Sequence, residues 1–427
     1  MTRIVIVGGG FAGFHAARAV RKALPADAGA EVVLVNRTDY FLYLPLLPEV
    51  AAAVIDPRRV TVSLPAALPG VRLAQGDVTA VSLADRTITY TDPEGEVREL
   101  GYDRLVLAAG SVNKLLPIPG VAEHAHGFRG VAEALYLRDH VIRQVELAAA
   151  TDDQAERDAR CTFVVVGAGY TGTEVAAQGP LLTRALVRRH HVLRDQRVRW
   201  LLLDTAPRVL PELDRRLSRA ADKVLRRRGI EVLTETSVRV AKHEGVELTN
   251  GDWVPSRTLV WCVGVRPDPL VGAMELETHK GRLVVEPNLT VPGHPEVFAC
   301  GDAAAVPDLT RPGEVTAMTA QHAQRQGVLA GRNVAASLGY GKTKRYKHHD
   351  LGFVVDLGGT QAAANPFRIP LSGIVAKAVT RGYHLLAMPG NRARTAADWA
   401  LDALLPRQSV QLGLVRSAAV PLETRDV

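Results

Sequence analysis

Two glycine-rich segments of this 427-residue chain have the residue types and spacing that bind the pyrophosphate of a dinucleotide. Residues 4–7 are a short apolar run rich in β-branched residues, the glycines follow at once, and an alanine-rich stretch with helical character comes next. The same order recurs from residue 163. The spaced glycines are Gly8, Gly10 and Gly13 in the first segment and Gly167, Gly169 and Gly172 in the second.

Each glycine of such a segment has its own physical task. The first permits a tight turn, the second lets the backbone approach a phosphate, and the third lets the helix pack closely on the strand. The helix N-terminus then offers free N–H groups and a partial positive charge. One match could be the glycine turn of any α/β fold, but two matches favour two dinucleotide sites.

Each segment is followed by an apolar run that ends on a polar residue, Asn36 in the first and Asp204 in the second. A carboxylate at this place binds ribose hydroxyls and repels a 2′-phosphate, so Asp204 favours NADH over NADPH. Arg208 is near enough in sequence to weaken that preference. Asn36 can form hydrogen bonds but carries no charge.

Three further apolar runs, at residues 102–111, 258–268 and 296–304, predict buried strands that end in small residues. The last contains Asp302, which could accept a hydrogen bond from a ribose or ribityl hydroxyl. We therefore predict an α/β fold with two Rossmann-like dinucleotide-binding domains, followed by a small C-terminal region of strands and helices.

The composition excludes several classes of protein. The formal net charge is +7, but zinc-ligand spacing and a basic-aromatic platform are both missing, so we expect neither a metal nor nucleic acid as a partner. Cys161, Cys262 and Cys300 lie far apart, which indicates a reducing compartment and no redox-active dithiol. A secretory signal and a long apolar span are also missing, and we expect a cytoplasmic protein that is soluble or attached to the membrane surface.

The order of these motifs resembles the two-dinucleotide-binding-domain flavoproteins, which are glutathione-reductase-like. Within them the chain is similar to the type II NADH dehydrogenases, the single-subunit NADH:quinone oxidoreductases. The resemblance covers essentially the whole chain. It rests on DYFLYLPLLPEVAAAVI at 39–55, GYTGTEVA at 169–176, TAQHAQRQG at 319–327 and NRARTAADWALD at 391–402.

The resemblance implies FAD in residues 1–125 and 288–342, NADH in residues 158–287, and helices for the membrane surface or a dimer in residues 343–427. The implied contacts to FAD are Gly8, Gly10, Phe11, Ala12, Gly13, Asn36, Arg37, Val78, Ala109, Gly110, Gly301, Asp302, Ala320 and Gln321. The implied contacts to NADH are Gly167, Gly169, Tyr170, Thr171, Gly172, Glu174, Asp204 and Gly264.

The implied reaction is hydride transfer from NADH to the flavin, and then reduction of a quinone (menaquinone or ubiquinone) without proton pumping. Catalytic roles fall on Glu174, Gln321 and Arg325. Glu174 could deliver a proton or bind the quinone, or it could form an ordinary capping box with Thr171. A helix that begins near Thr319 would direct positive potential at the reduced flavin.

Gln321, Gln324 and Arg325 would share one face of that helix and could bind a quinone carbonyl. Arg325 replaces the second glutamine of the family pattern, so it could stabilise a reduced quinone oxygen or indicate an anionic acceptor. Leu351 stands where the family usually has a lysine, and His348 and His349 beside it are interpreted as surface residues.

The C-terminal region keeps the pattern of amphipathic helices that lie on a lipid surface, although alanines thin the apolar face. Tyr383 and Trp399 could anchor it. Five cations could meet anionic headgroups: Lys377, Arg381, Arg392, Arg394 and Arg407. The alternative is a helical pair packed on the core or on a second subunit, and we expect a homodimer.

A second function therefore remains open. It is a soluble NAD(P)H-dependent flavoprotein that reduces another acceptor, such as a small aromatic metabolite, dioxygen or a protein partner.

Overall fold

The computed structural model describes residues 1–349 and 351–422. Up to residue 126 its elements are β1 Thr2–Val7, α1 Phe11–Ala23, β2 Ala30–Asn36, β3 Tyr40–Leu42, α2 Leu47–Ala51, β4 Thr61–Ser63, α3 Leu64–Ala67, β5 Arg72–Gln75, β6 Asp77–Ser82, β7 Thr87–Thr91, β8 Val97–Gly101, β9 Arg104–Leu107, β10 Ser111–Asn113, α4 Val121–His124 and β11 Ala125–His126.

From residue 127 to 272 they are α5 Val131–Ala150, α6 Gln154–Arg160, β12 Thr162–Val166, α7 Tyr170–Val187, β13 Arg199–Leu203, α8 Arg215–Arg227, β14 Ile230–Leu233, β15 Val238–Lys242, β16 Gly245–Leu248, β17 Trp253–Pro255, β18 Thr258–Trp261, β19 Val265–Pro267 and α9 Pro269–Gly272. After residue 272 they are β20 Thr278–His279, β21 Arg282–Val284, β22 Thr290–Val291, β23 His294–Ala299, β24 Ala304–Ala305, α10 Ala320–Ser337, β25 Val354–Asp356, β26 Ala362–Ala364, β27 Leu371–Ser372, α11 Gly373–Ala387 and α12 Arg392–Leu404.

The first glycine segment follows the central strand of a mostly parallel sheet. The strand order is β22-β23-β9-β1-β2-β5, and β1 pairs in parallel with both β2 and β9. The interior of β1 is fully buried, as a continuous apolar run on a sheet covered on both faces must be. The carboxyl end of β1 therefore opens onto the N-terminus of α1.

The second glycine segment lies in a second sheet with the same local arrangement. Its strand order is β11-β18-β12-β13-β14, and β12 pairs in parallel with β13 and β18. The predicted α/β class with two Rossmann-like units is confirmed.

Helix α10 packs against α1 through two glycines. A Cβ at Gly327 would lie 2.1 Å from the backbone oxygen of Ala12, and one at Gly331 would lie 2.4 Å from that of Ala16. Since only glycine permits this approach, the pair fixes where α10 begins relative to the first glycine turn.

The C-terminal region is the predicted unit of strands and helices, with β25-β26-β27 antiparallel and α11 and α12 after them. The prediction of lipid-facing anchors was wrong for Trp399 and Lys377, because both side chains are buried. Trp399 Nε1 donates a hydrogen bond to Glu49 on α2, and Lys377 pairs with Asp356 on β25. Both partners lie inside the protein, so α11 and α12 bury polar contacts where a helix usually buries apolar side chains.

Candidate dinucleotide and electron-acceptor site

The two glycine turns have matching backbone geometry. Gly8 and Gly167 both have positive φ, +92° and +101°. A Cβ at Gly13 would lie 1.7 Å from the oxygen of Gly8, and one at Gly172 would lie 1.8 Å from that of Gly167. Each helix therefore rests directly on its own glycine turn, which brings the free N–H groups of its first turn to the end of the strand.

The two polar residues after the second strands brace these turns in the same way. Asn36 Oδ1 accepts a hydrogen bond from the backbone N–H of Gly9 at 2.7 Å. Asp204 Oδ2 accepts one from Ala168, and its Oδ1 accepts one from Ala206 at 2.7 Å. Asp204 thus holds a negative charge beside the second turn, where a ribose would bind.

The side chain of Arg208 is held by backbone oxygens of its own loop. Its guanidinium donates to the backbone oxygens of Leu213 at 2.7 Å and Pro211 at 2.6 Å, so it is bound within its own loop. We expect Asp204→Asn to raise kcat/KM for NADPH relative to NADH by about tenfold, or about 1.4 kcal/mol. Asn36 accepts the equivalent hydrogen bond in the first turn, so an asparagine at position 204 should still hold the second turn in place.

Steady-state kinetics with both coenzymes measure this preference. Asp222→Asn on α8 is the matched control, since Asp222 pairs with Arg226 at the surface. An unchanged coenzyme ratio in Asp204→Asn would show that Asp204 does not face the ribose.

A cavity of about 330 Å³ opens beside the first glycine turn. A Cβ at Gly10 would meet no atom within 4 Å in the described part of the chain, so the backbone is bare there. Arg37 and Arg129 line the same cavity. Arg37 pairs with Asp77 of the same lining at 2.6 Å. Bare backbone, a helix N-terminus and the Arg129 guanidinium suit an anionic diphosphate, so these residues fit the FAD that the sequence implies.

Arg129 was missed in the sequence, where it follows Phe128 in a loop without a motif. Its guanidinium donates to the backbone oxygen of Ser111, and the hydroxyl of Ser111 donates to Asp302 at 2.6 Å. Arg129 therefore connects the cavity to the predicted ribityl-binding carboxylate.

We expect Arg129→Ala to weaken FAD binding by about 10- to 100-fold, since a hydrogen bond to a charged group contributes about 1.5–3 kcal/mol. Titration of the apoprotein with FAD, followed by flavin fluorescence, measures the Kd. The control is Arg72→Ala, an arginine at the outer edge of the same sheet that pairs with Glu31. Equal affinities in all three proteins would exclude Arg129 from the site.

The turn at Gly301 and Asp302 is held by a residue that the sequence analysis did not select. The buried Gln326 accepts a hydrogen bond from the N–H of Gly301 at 2.8 Å and donates one to Thr316 at 2.9 Å. The sequence signal that could have identified Gln326 was its place in the AQHAQRQG segment, one position after Arg325.

Helix α10 begins as predicted, with Thr319 as its N-cap. Two residues of its predicted polar face bind their own chain: Gln321 donates to the backbone oxygen of Gly352, and Arg325 donates to that of His349. Gln324 is half-buried. His348 is not a simple surface residue, since its ring lies 4.1 Å from that of the buried His322.

The other predicted contact residues lie at the ends of the same strands and helices. Val78 and Ala109 line the cavity, and Gly110 and Gly264 have positive φ just after β9 and β18. Phe11 and Ala12 begin α1, Tyr170 and Thr171 begin α7, and Ala320 begins α10.

Glu174 is buried and does not form the alternative capping box. Helix α7 begins at Tyr170 with Gly169 as its N-cap, so Glu174 lies in the second turn. Its Oε1 accepts a hydrogen bond from the backbone N–H of Asp356 at 2.8 Å. Burial raises the pKa of Glu174 well above its ordinary value, with a smaller contribution from the charge of Asp356.

Comparison with known proteins places the chain in a family. Residues 2–327 match the family described as pyridine nucleotide-disulphide oxidoreductase. The type II NADH:quinone oxidoreductase NdhA of Mycobacterium tuberculosis is 31% identical over 413 residues, which cover 93% of this chain and 86% of NdhA. The chain belongs to the pyridine nucleotide-disulphide oxidoreductases and, within them, to the type II NADH:quinone oxidoreductases.

Two further proteins also match this chain over most of its length. Demethylphylloquinone reductase NdbB of Synechocystis sp. is 29% identical over 91% of this chain and 92% of its own length. The structure of NDH2 from Plasmodium falciparum in complex with NADH has a TM-score of 0.87, with 18% identity over 96% of this chain and 99% of that one. At this identity the structural match shows a shared fold.

In this type II NADH:quinone oxidoreductase, helix α11 buries polar side chains and exposes apolar ones, which reverses the usual amphipathic pattern. The residues of α11 that face the protein include Lys377, Thr380 and His384, which are buried. Its exposed face is apolar: Ile374, Val375, Ala378, Gly382, Tyr383 and Leu386. Within residues 1–349 and 351–422, no helix combines the length and the apolar character needed to span a bilayer.

The five cations proposed to meet headgroups divide into two groups. Lys377 is buried, Arg381 stacks on Trp399 at 4.8 Å, and Arg407 pairs with Asp402 at 2.7 Å, so their positive charges are engaged within the chain. Arg392 and Arg394 are exposed at the start of α12, and Arg392 also donates to the backbone oxygens of Met388 and Leu386.

Proposed function

We propose that this protein oxidises NADH, with FAD as its cofactor, and reduces a quinone without pumping protons. The observation that carries the proposal is the pair of glycine turns with matching geometry, one of which opens onto a cavity lined by bare backbone and Arg129. The residues of the first turn would hold FAD, which would supply the chemistry of accepting a hydride from NADH and passing two electrons to the acceptor. The chain supplies binding, orientation and control of protons.

Each nucleotide is assigned to one glycine turn by the residues that lie beside that turn. Residues 1–125 and 288–342 hold FAD, since β23 of the second segment lies in the same sheet as β1 and brings Asp302 to the cavity side. Residues 158–287 hold NADH, because Asp204 beside the second turn favours a free ribose hydroxyl.

A quinone, either menaquinone or ubiquinone, is the acceptor that the relatives support, since NdhA is named an NADH:quinone oxidoreductase. Steady-state NADH oxidation with a panel of quinones, ferricyanide and dioxygen tests it. The proposal predicts that a quinone gives the largest kcat/KM. If ferricyanide or dioxygen alone is reduced, the second function, a flavoprotein with another acceptor, replaces it.

The apolar outward face of α11 supports peripheral contact with the cytoplasmic face of an anionic membrane. An apolar helix face in water is unfavourable, whereas a lipid surface would bury it. The exposed Arg392 and Arg394 nearby would meet anionic headgroups. A second copy of the chain is the other occupant that would cover this face, which corresponds to the predicted homodimer.

We expect Leu386→Ser together with Leu404→Ser to weaken binding to anionic liposomes by about tenfold or more, since burial of one leucine contributes about 1.5–3 kcal/mol. These side chains are 78% and 80% exposed. Val97→Ser, at a side chain 70% exposed on β8, is the control. Sedimentation with liposomes measures binding, and a change in oligomeric state without a change in sedimentation would assign the face to the dimer.

A further inference from the structure

Glu49 belongs to a buried cluster with more acids than bases. It lies on α2, and its Oε1 is 3.6 Å from Nζ of Lys377, which itself pairs with Asp356. Glu174 joins the cluster through the N–H of Asp356. All four side chains are buried. The cluster therefore holds three carboxyl groups around one ammonium group.

This cluster must carry a proton at neutral pH. With every group ionised it would hold two net negative charges in the interior, which is strongly unfavourable. Asp356 is the natural ionised partner of Lys377, because its Oδ1 also accepts the N–H of Gly358 at 2.6 Å. The proton therefore resides on Glu49 or Glu174.

Two nearby guanidinium groups partly offset this negative charge, since that of Arg381 opposes the raised pKa of Glu49 and that of Arg228 interacts with Asp356. Arg381 stacks on Trp399. Arg228 donates to the backbone oxygens of Ala177 and Gly358. Burial lowers the pKa of His384 to about 4, so it is neutral at pH 7. From α5, the apolar side chains Leu137 and Val141 line a small cavity with α2.

We propose that Glu49 is a positioning residue for the reaction, which shares one proton with Glu174 through the Asp356–Lys377 pair and so sets whether Glu174 is protonated. The inference rests on the proposed function. Quinone reduction by NADH takes up one proton from solvent, because the hydride brings two electrons and one proton. Glu174 releases the shared proton to the reduced acceptor, solvent then protonates Glu49, and that proton is shared again with Glu174.

The strand β25 connects this cluster to the predicted acceptor side. Gly352, just before β25, accepts the hydrogen bond of Gln321 from the first turn of α10. The ring of Phe353 packs on that of Tyr170 at 6.2 Å, at the start of α7. Asp356 ends the strand inside the cluster. A change in the charge of Glu49 therefore alters the electrostatic surroundings of residues that β25 holds in place relative to α10.

The test compares two substitutions of the cluster. Burial raises the pKa of Glu49 to about 7, and the Trp399 N–H opposes this by stabilising the ionised carboxylate. In the flavin-loaded enzyme, Glu49→Gln should remove the inflection near pH 7 from the rate of flavin reoxidation by quinone. Trp399→Phe should move that inflection to higher pH by about one unit.

Asp398→Asn is the control, since Asp398 lies on the same helix as Trp399 but pairs with Arg59. Infrared titration of the protonated carboxyl band provides a readout without turnover, and Glu49→Gln should remove the component that titrates near pH 7. An inflection that stays in Glu49→Gln, or does not move in Trp399→Phe, overturns the inference. Wild-type enzyme that reduces no quinone would instead refute the proposed function, and the infrared titration would still test Glu49.

Discussion

Gly10→Val should give a folded but colourless protein, and Gly169→Val a yellow protein that NADH no longer reduces. A Cβ at either glycine meets no atom within 4 Å in residues 1–349 and 351–422. Both have φ near −70°, which valine adopts without strain. The added side chain should therefore leave the fold intact and occupy the space predicted for the pyrophosphate.

The loss should be about 100-fold or more in each case, equivalent to about 2.7 kcal/mol. Absorbance at purification measures bound flavin, anaerobic mixing with NADH measures its reduction, and thermal unfolding checks the fold. Gly13→Val and Gly172→Val are the contrasting controls, because their Cβ atoms would clash with backbone and destabilise the protein itself. If Gly10→Val and Gly169→Val lose the same ligand, the assignment of FAD and NADH to separate turns is wrong.

Glu174→Gln should slow flavin reoxidation by quinone by about 100-fold and leave flavin reduction by NADH nearly unchanged. A positioned acid contributes about 100- to 10,000-fold to a proton-transfer step. Burial raises the pKa of Glu174 and so favours its protonated form, whereas the amide has no proton to give. Stopped-flow measurement of the two half-reactions separates these rates.

Glutamine keeps the oxygen that accepts the N–H of Asp356, so the packing of α7 is preserved. Glu146→Gln, a half-exposed carboxylate on α5, is the control and should change neither rate. Equal losses in both half-reactions would assign Glu174 a structural role instead of proton transfer.

Features that depend on neighbouring residues were predictable from the sequence. The glycine turns follow from steric limits within a few residues, and Thr319 caps α10 because its hydroxyl accepts a nearby N–H. The two-sheet fold follows from the repeated strand, glycine turn and helix. These signals are local and strong.

Features that depend on distant partners were not predictable. Trp399 and Lys377 resemble lipid anchors until the fold brings them to Glu49, more than 300 residues away in sequence. Helix α11 also reverses the usual pattern, because its buried polar side chains meet this cluster while apolar ones face outward. Arg129 and Gln326 likewise acquire roles through contacts across the fold.

Anaerobic stopped-flow spectroscopy of the purified protein tests the central claim most directly. One syringe supplies the protein and the second supplies NADH, and a later mix adds a quinone in anionic liposomes. We predict a flavin spectrum that NADH bleaches and quinone restores, with much slower restoration when the quinone is omitted. A protein that stays colourless after incubation with FAD, or a flavin that NADH does not bleach, would contradict the account.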